Sequence, residues 1–392
     1  MYTPFTSKHF TQYIDPVSGI KMAILSTRVA RVQQGVYFVN PCTSKDGRYM
    51  WFSCKFHPAP SGCLAVIDFL TDEIHSFMDT SGTSGHWVEP ETGNIYFSCA
   101  QGIFYRTPHP EDKPVLVARL PEICREHGCS GGTSHLTFTP DRKELVVDYQ
   151  TSNGNYLGSI DVVTGEFTQW YHTEPGRWYN HAQCCPTDRN LMMCAHEMWN
   201  GLTLRNEAVY EDGIYPRIQF ITREGKRWII RLAGNEGGHE FWAPDGKSVY
   251  YVNNDFEKKG YGVVARGPID GSEPEIICKI TIPGSCNHVW HTQCTRNEKY
   301  FLVDGSVPSM GLPVWRGCSS AVHFFNKETQ KLIRIVTNPV VEGWTPENSC
   351  PYHIDPHPRF EMNDTWGVFT TTVLNRVDVA VVDVAELIEA TK

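Results

Sequence analysis

Two stretches of this chain bring metal-binding and acid–base side chains close together. "NHVWHTQC" carries His288 and His291, an i, i+3 pair, and "YHIDPHPRF" offers His353, Asp355 and His357. Imidazole and carboxylate are ligand types for Mn, Fe, Zn or Ni. Alternation along an extended segment puts 353, 355 and 357 on one face, whereas Pro356 makes a poor central strand and favours an irregular ligand loop. These residues form the candidate metal set. The competing reading is a histidine cluster joined only by hydrogen bonds.

A third titratable pair, His239 and Glu240, opens "HEFWAPDGKSVYYV", and its surroundings recur. A histidine, a short spacer, a turn of the "PDG" kind and an apolar strand fit at His86, His135, His181, His239, His291 and His357, with Asn40 in the histidine's place in the first copy. The steps between copies are 46, 49, 46, 58, 52 and 66 residues. Strand pairs such as "GCLAVIDFLTDEIHSF" and "YLGSIDVVTGEFTQW", with "TDE" and "TGE" as hairpin turns, complete each unit. Four strands per unit at roughly 40–50 residues is the pattern of a β-propeller blade. The expected fold is all-β, a seven-bladed β-propeller forming one domain over residues 1–392. "KMAILSTR" near the N-terminus should complete the last blade, and only the tail "VAELIEATK" has helical character.

In a blade the strand before the "PDG" turn is innermost, so the repeat residues should converge on one mouth of the central channel. One such histidine alone is more often a residue bonding a backbone carbonyl; a converging ring is harder to explain that way. The fourth repeat adds Arg177, Tyr179, Asn180, His181, Gln183, His196 and Glu197, and "YPRIQFI" adds Arg217. Among these, Arg177, Tyr179, Gln183 and His196, together with His86 and His135 from the ring, are candidate substrate-binding residues. Arg217 is either the partner of a buried acid or a bidentate clamp for a substrate carboxylate. Glu240, adjacent to His239 on a strand, should point to the opposite face.

Composition narrows the partners. The 392 residues are 41% hydrophobic, enough for a sizeable core, and 44 acidic against 35 basic residues give a net charge of −9. That balance argues against nucleic acid, whose phosphates need a basic footprint. Neither an export signal nor an apolar run of about 18 residues is present, so the expectation is a cytoplasmic protein without a membrane partner, a monomer or homodimer. The 14 cysteines, with no CxxC pair, read as reduced thiols.

The ordered series "NHAQCCPTD", "CAHE", "PRIQFI", "GGHEFWAPDGK", "HTQCTRNEKYFLVDG" and "DPHPRF" resembles the oligogalacturonate lyases, from about Asn180 to Phe360. The resemblance implies a cytoplasmic seven-bladed propeller that cleaves short pectic uronides by β-elimination with a divalent metal, typically Mn2+. Position by position, it implies that His239 is the proton-abstracting base, Arg217 faces the substrate carboxylate, and His291 and His357 are metal ligands. Where the family has a Gln and a further His ahead of the last ligand, this chain has Tyr352 and Asp355, with a displaced His353. The expected substrate is therefore an acidic oligosaccharide whose uronic acid is open, and a related plan acts on rhamnose-capped glucuronate. A neutral imidazole, with an ordinary pKa of about 6.5, suits proton abstraction, and His181 or Tyr179 is the candidate proton donor. A glycoside hydrolase and a non-catalytic binding propeller are the rival readings on the same fold.

Overall fold

The computed structural model describes residues 1–392 apart from 130–131, 200–201, 204–210, 212, 235–236, 255–259, 282–288, 308–318 and 346–351. Seven antiparallel sheets form a ring, six of them running in chain order from the innermost strand outward and the seventh finishing on two N-terminal strands. This is the seven-bladed β-propeller the repeat spacing predicts. The innermost strands are Val32–Gln34, Ser84–Val88, Thr137–Phe138, Arg177–Cys184, Gly238–Trp242, Val289–Cys294 and Arg359–Glu361. Blades 1 to 7 are numbered by these strands.

The ring closes as expected. Blade 7 continues outward from Asp378–Asp383 to Lys21–Leu25 and then Phe10–Ile14, with Ala23 opposite Val381 and Ile24 opposite Ala380. The tail forms the helix Val384–Ala390, whose first turn is capped by Asp383 accepting from the Ala385 amide at 2.8 Å. Among the described residues no helix is long and apolar enough to cross a membrane, and all described cysteines are free thiols.

The apolar core is divided among the seams between neighbouring blades. Blades 1 and 2 meet through Trp51, Leu64 and Val66 against Val88, Ile95 and Phe97. Blades 3 and 4 meet through Val146, Leu157 and Trp170 against Tyr179, Ala182 and Met192. Comparable clusters fill the other five seams. Both faces of a central strand are therefore buried, and strands such as Tyr49–Lys55 and Gly62–Asp68 are apolar or small at nearly every position. The outermost strand of the same blade, Glu73–Phe77, alternates with polar residues.

The "PDG" turn has a steric cause. Gly246 has φ +67, and its amide donates to Ala243 O at 2.9 Å; a side chain there would be strained and would collide with Thr187 of the preceding blade. At the other end of the inner strands the ladder is interrupted. Register breaks fall between Ser84 and Trp87, Asn180 and Gln183, Gly238 and Phe241, and Val289 and Thr292. Each break contains the repeat histidine. His181 and His239 adopt left-handed backbone, with φ 56 and 51, and Gly85 before His86 has φ 62. A bulge of this kind re-aims a side chain, and here it turns each imidazole into the channel.

Candidate active site

The repeat histidines converge. Ring centroids lie 4.4 Å apart for His135 and His181, 4.3 Å for His239 and His291, and 4.3 Å for His291 and His357. His86, half-buried, has Nε2 3.0 Å from Thr83 Oγ1; burial, then the Lys55 charge, holds its pKa down at about 4. Burial likewise lowers His181 and takes His135 and His357 well below the ordinary histidine range. Burial thus favours the neutral form of these four imidazoles.

One side of the mouth groups His291, Asp355 and His357, with one ligand atom from each within 4.8 Å of the others. Asp304, in strand Tyr300–Ser306, prepares two of them. Its carboxylate accepts from His291 Nδ1 at 3.0 Å, from the His291 amide at 2.7 Å and from the His357 amide at 3.1 Å. With Nδ1 committed, Nε2 is the His291 nitrogen left to bind a metal. His357 Nε2 is buried without a hydrogen-bond partner among the described residues, 3.9 Å from Asp355. Two imidazoles and a carboxylate with an orphaned buried nitrogen fit a divalent cation.

His353 departs from its expected place. Residues 353–358 form an irregular segment, as Pro356 suggested, with left-handed backbone at His353 and His357, so strand alternation fails there. His353 has a 48% exposed side chain and touches Asp355 from outside at 2.9 Å. It lies beside the three-residue group. Tyr352 turns away from it, its hydroxyl donating to Ala59 O at 3.3 Å. His288 lies outside the described residues.

Arg217 occupies the opposite side. Its guanidinium lies against Gly238, where a Cβ would sit 3.7 Å from Nε, and so beside the backbone that carries His239. It donates from Nη1 to Glu197 at 3.0 Å and from Nε to Glu240 at 3.3 Å. Of the expected alternatives for Arg217, the structure shows the partner of acids, placed beside the histidine ring. Glu240 is a correction, since the bulge at His239 breaks alternation and keeps its carboxylate in the site. Burial would raise the Glu197 carboxyl, but Arg217, His181 and a 2.9 Å hydrogen bond from Asn180 hold it at about 2.

The remaining expectations divide. Tyr179 is buried in the seam between blades 3 and 4, so neither substrate binding nor proton donation is open to it. His196, fully buried with its ring 4.7 Å from that of Tyr179, is likewise removed from substrate. Gln183 donates to Glu240 O at 2.8 Å and lines a cavity of about 290 Å3 with Val39, Phe241 and Gln293 at the other end of the channel. Arg177 pairs with Glu211 at 3.0 Å and with Glu174 at 3.6 Å.

The sequence reading missed Tyr37. In blade 1 the inner edge pairs at Val32–Gln34 and again at Thr43, and residues 35–41 between them leave the ladder. Tyr37 enters the ring, with centroids 4.5 Å from His135, 4.9 Å from His357, 5.5 Å from His181 and 6.0 Å from His291. Asn40, aligned with the histidines in sequence, instead donates to His86 O at 2.6 Å. A blade without a ring histidine and with a "GVYFVNP" insertion before its turn was the available signal.

Fold and site together define a seven-bladed propeller with a candidate metal set and acid–base groups at one mouth. No family profile matches the chain. It is 21% identical over 398 residues to the oligogalacturonate lyase of Dickeya dadantii (strain 3937), covering 93% of each protein. The solved oligogalacturonate lyase of Vibrio parahaemolyticus superposes with a TM-score of 0.74 at 16% identity, and an oligogalacturonate lyase in complex with manganese with 0.72 at 16%, each covering 98% of both chains. The resemblance carried by the short motifs thus extends along the chain.

Proposed function

We propose that this protein is a metal-assisted lyase that cleaves short uronic-acid-containing saccharides by β-elimination, leaving a 4,5-unsaturated uronide. The observation that carries this reading is the setting of His239. Its ring contacts that of His291, a candidate metal ligand, while the Arg217 guanidinium lies against the preceding residue. β-Elimination needs those neighbours, because the C5 proton α to a uronate carboxylate is very weakly acidic and its removal sends charge onto that carboxylate.

In this mechanism Arg217 faces the carboxylate and stabilises the charge that develops on it. Glu197 and Glu240 hold the guanidinium in place, so little reorganisation is needed as the charge grows. His239 takes the C5 proton as a neutral base. Those electrons form the C4–C5 double bond, and the glycosidic oxygen leaves C4. His291, Asp355 and His357 are the residues that would hold the divalent ion, with His353 beside them. When bound, that ion supplies positive charge to the same carboxylate; manganese is favoured by the manganese complex of the structurally similar lyase.

The test is a panel of oligo-uronides, galacturonate and glucuronate types included, assayed by ultraviolet absorbance of the unsaturated product with added Mn2+ and with chelator. Metal-dependent absorbance on at least one member is expected. New reducing ends without absorbance would replace this reading by a hydrolase, and no turnover on any member would leave a binding propeller.

A further inference from the structure

We propose that Tyr37 is the proton donor to the leaving oxygen, an assignment that rests on the lyase reading and adds its second proton transfer. Tyr37 is the phenol the site lacked once Tyr179 proved to be buried between blades. It stands among histidines of four different blades: His135, His181, which lies 3.9 Å from the Glu197 carboxylate that Arg217 binds, and His291 and His357 of the candidate metal set. Those residues flank the mouth on both sides. The phenol therefore reaches the space where a uronide would lie between Arg217 and the candidate metal ligands.

The excursion that carries Tyr37 is held by other blades. The Gly35 amide donates to Thr370 Oγ1 at 3.2 Å in blade 7. Buried Arg359, also of blade 7, donates to the carbonyls of Val36 and Tyr37, the latter at 3.1 Å, and a Cβ on Gly35 would fall 2.5 Å from its guanidinium. Gln293 of blade 6 donates to Phe38 O at 2.8 Å. A plug for the channel would explain Phe38, which is fully buried among Phe241, Val289 and Phe301. It does not explain Tyr37, whose half-buried ring meets four imidazoles. An ordinary tyrosine hydroxyl, with a pKa of about 10, is protonated at neutral pH and able to donate.

The step balances. His239 accepts the C5 proton, the C5–H pair becomes the new π bond, the C4–O bond breaks, and its electron pair takes the Tyr37 proton. Solvent then returns a proton to the phenolate and removes one from the His239 imidazolium.

The test compares wild type and Tyr37→Phe on a cleaved oligo-uronide and on a 4-deoxy-4-fluoro uronide, whose fluoride leaves without being protonated. The ring is kept, so the fold should survive, and a thermal melt checks it. The variant should lose about 10²–10⁴-fold in kcat on the oligosaccharide and keep fluoride elimination within about three-fold of wild type. Equal losses on both substrates, or no loss on either, would overturn the assignment. Wild-type protein that eliminates neither substrate would instead remove the lyase reading itself.

Discussion

Asp304→Asn tests whether one buried carboxylate sets two metal ligands. The substitution is nearly isosteric, but an amide cannot accept from all three donors around it. With its NH2 in the Oδ2 position it faces the His357 amide; flipped, it faces the His291 amide. Either way a buried N–H opposes another N–H. An amide donating to His291 Nδ1 would further drive that proton to Nε2, the atom a metal needs. Losing one bond of a charged acceptor costs roughly 1.5–3 kcal/mol, and at about 1.4 kcal/mol per decade that is about 10–100-fold in affinity, the range found when partners of metal-ligating histidines are removed. Calorimetric titration of metal-free protein with Mn2+ measures it directly. In wild type, nitrogen NMR of labelled histidine, with His291→Gln to identify the signal, should find the proton on Nδ1 of His291. A folded Asp304→Asn protein binding Mn2+ at wild-type affinity, or an Nε2–H tautomer in wild type, would refute the reasoning.

Other outcomes follow from the same geometry. His239→Ala should lower kcat by about 10²–10⁴-fold with substrate binding largely kept; turnover near wild type would move the base to His181. Arg217→Lys cannot span Glu197 and Glu240 with one planar fork, and should raise KM and lower kcat together; unchanged constants would remove Arg217 from substrate contact. His291→Ala and His357→Ala should emerge from dialysis without metal, whereas His353→Ala should retain most of it, as measured by elemental analysis. His323, buried opposite Arg334, is held at about 4 first by desolvation and then by that charge. Because its folded pKa is depressed, its contribution to stability is complete above about 6.5 and is lost as pH falls towards 4. Urea unfolding across that window should show a decline that His323→Gln flattens.

The propeller was legible because the blades repeat one local solution: a tight turn of the kind Gly246 makes, central strands buried on both faces and, in six of the seven, a histidine on the inner edge. The candidate metal group was partly legible, since Asp355 and His357 are neighbours in sequence and His291 opens a repeat. What failed was parity counting. Left-handed backbone at His181, His239 and His357 breaks the two-residue period, so Glu240 stayed in the site and His353 moved to its edge. Asp304 looked like the interior of an ordinary strand, and only pairing across blades gives it two histidines. Tyr37 lies ahead of the repeat frame, where its position depends on Arg359, Thr370 and Gln293, more than 250 residues away.

Ring closure and site assembly share one seam. Tyr37 belongs to blade 1, Asp355 and His357 to the approach to blade 7, and the contacts that hold the Tyr37 excursion cross between those two blades. The outer strands of blade 7 come from residues 10–25. A nascent chain can stack its first six blades, yet its mouth stays incomplete until Asp378–Asp383 is available to pair with Lys21–Leu25. Domains generally fold as units, and a chain stopped before blade 7 would hold most of the histidines without Asp355, His357 or an anchored Tyr37. The arrangement delays chemical competence until the two distant ends have met.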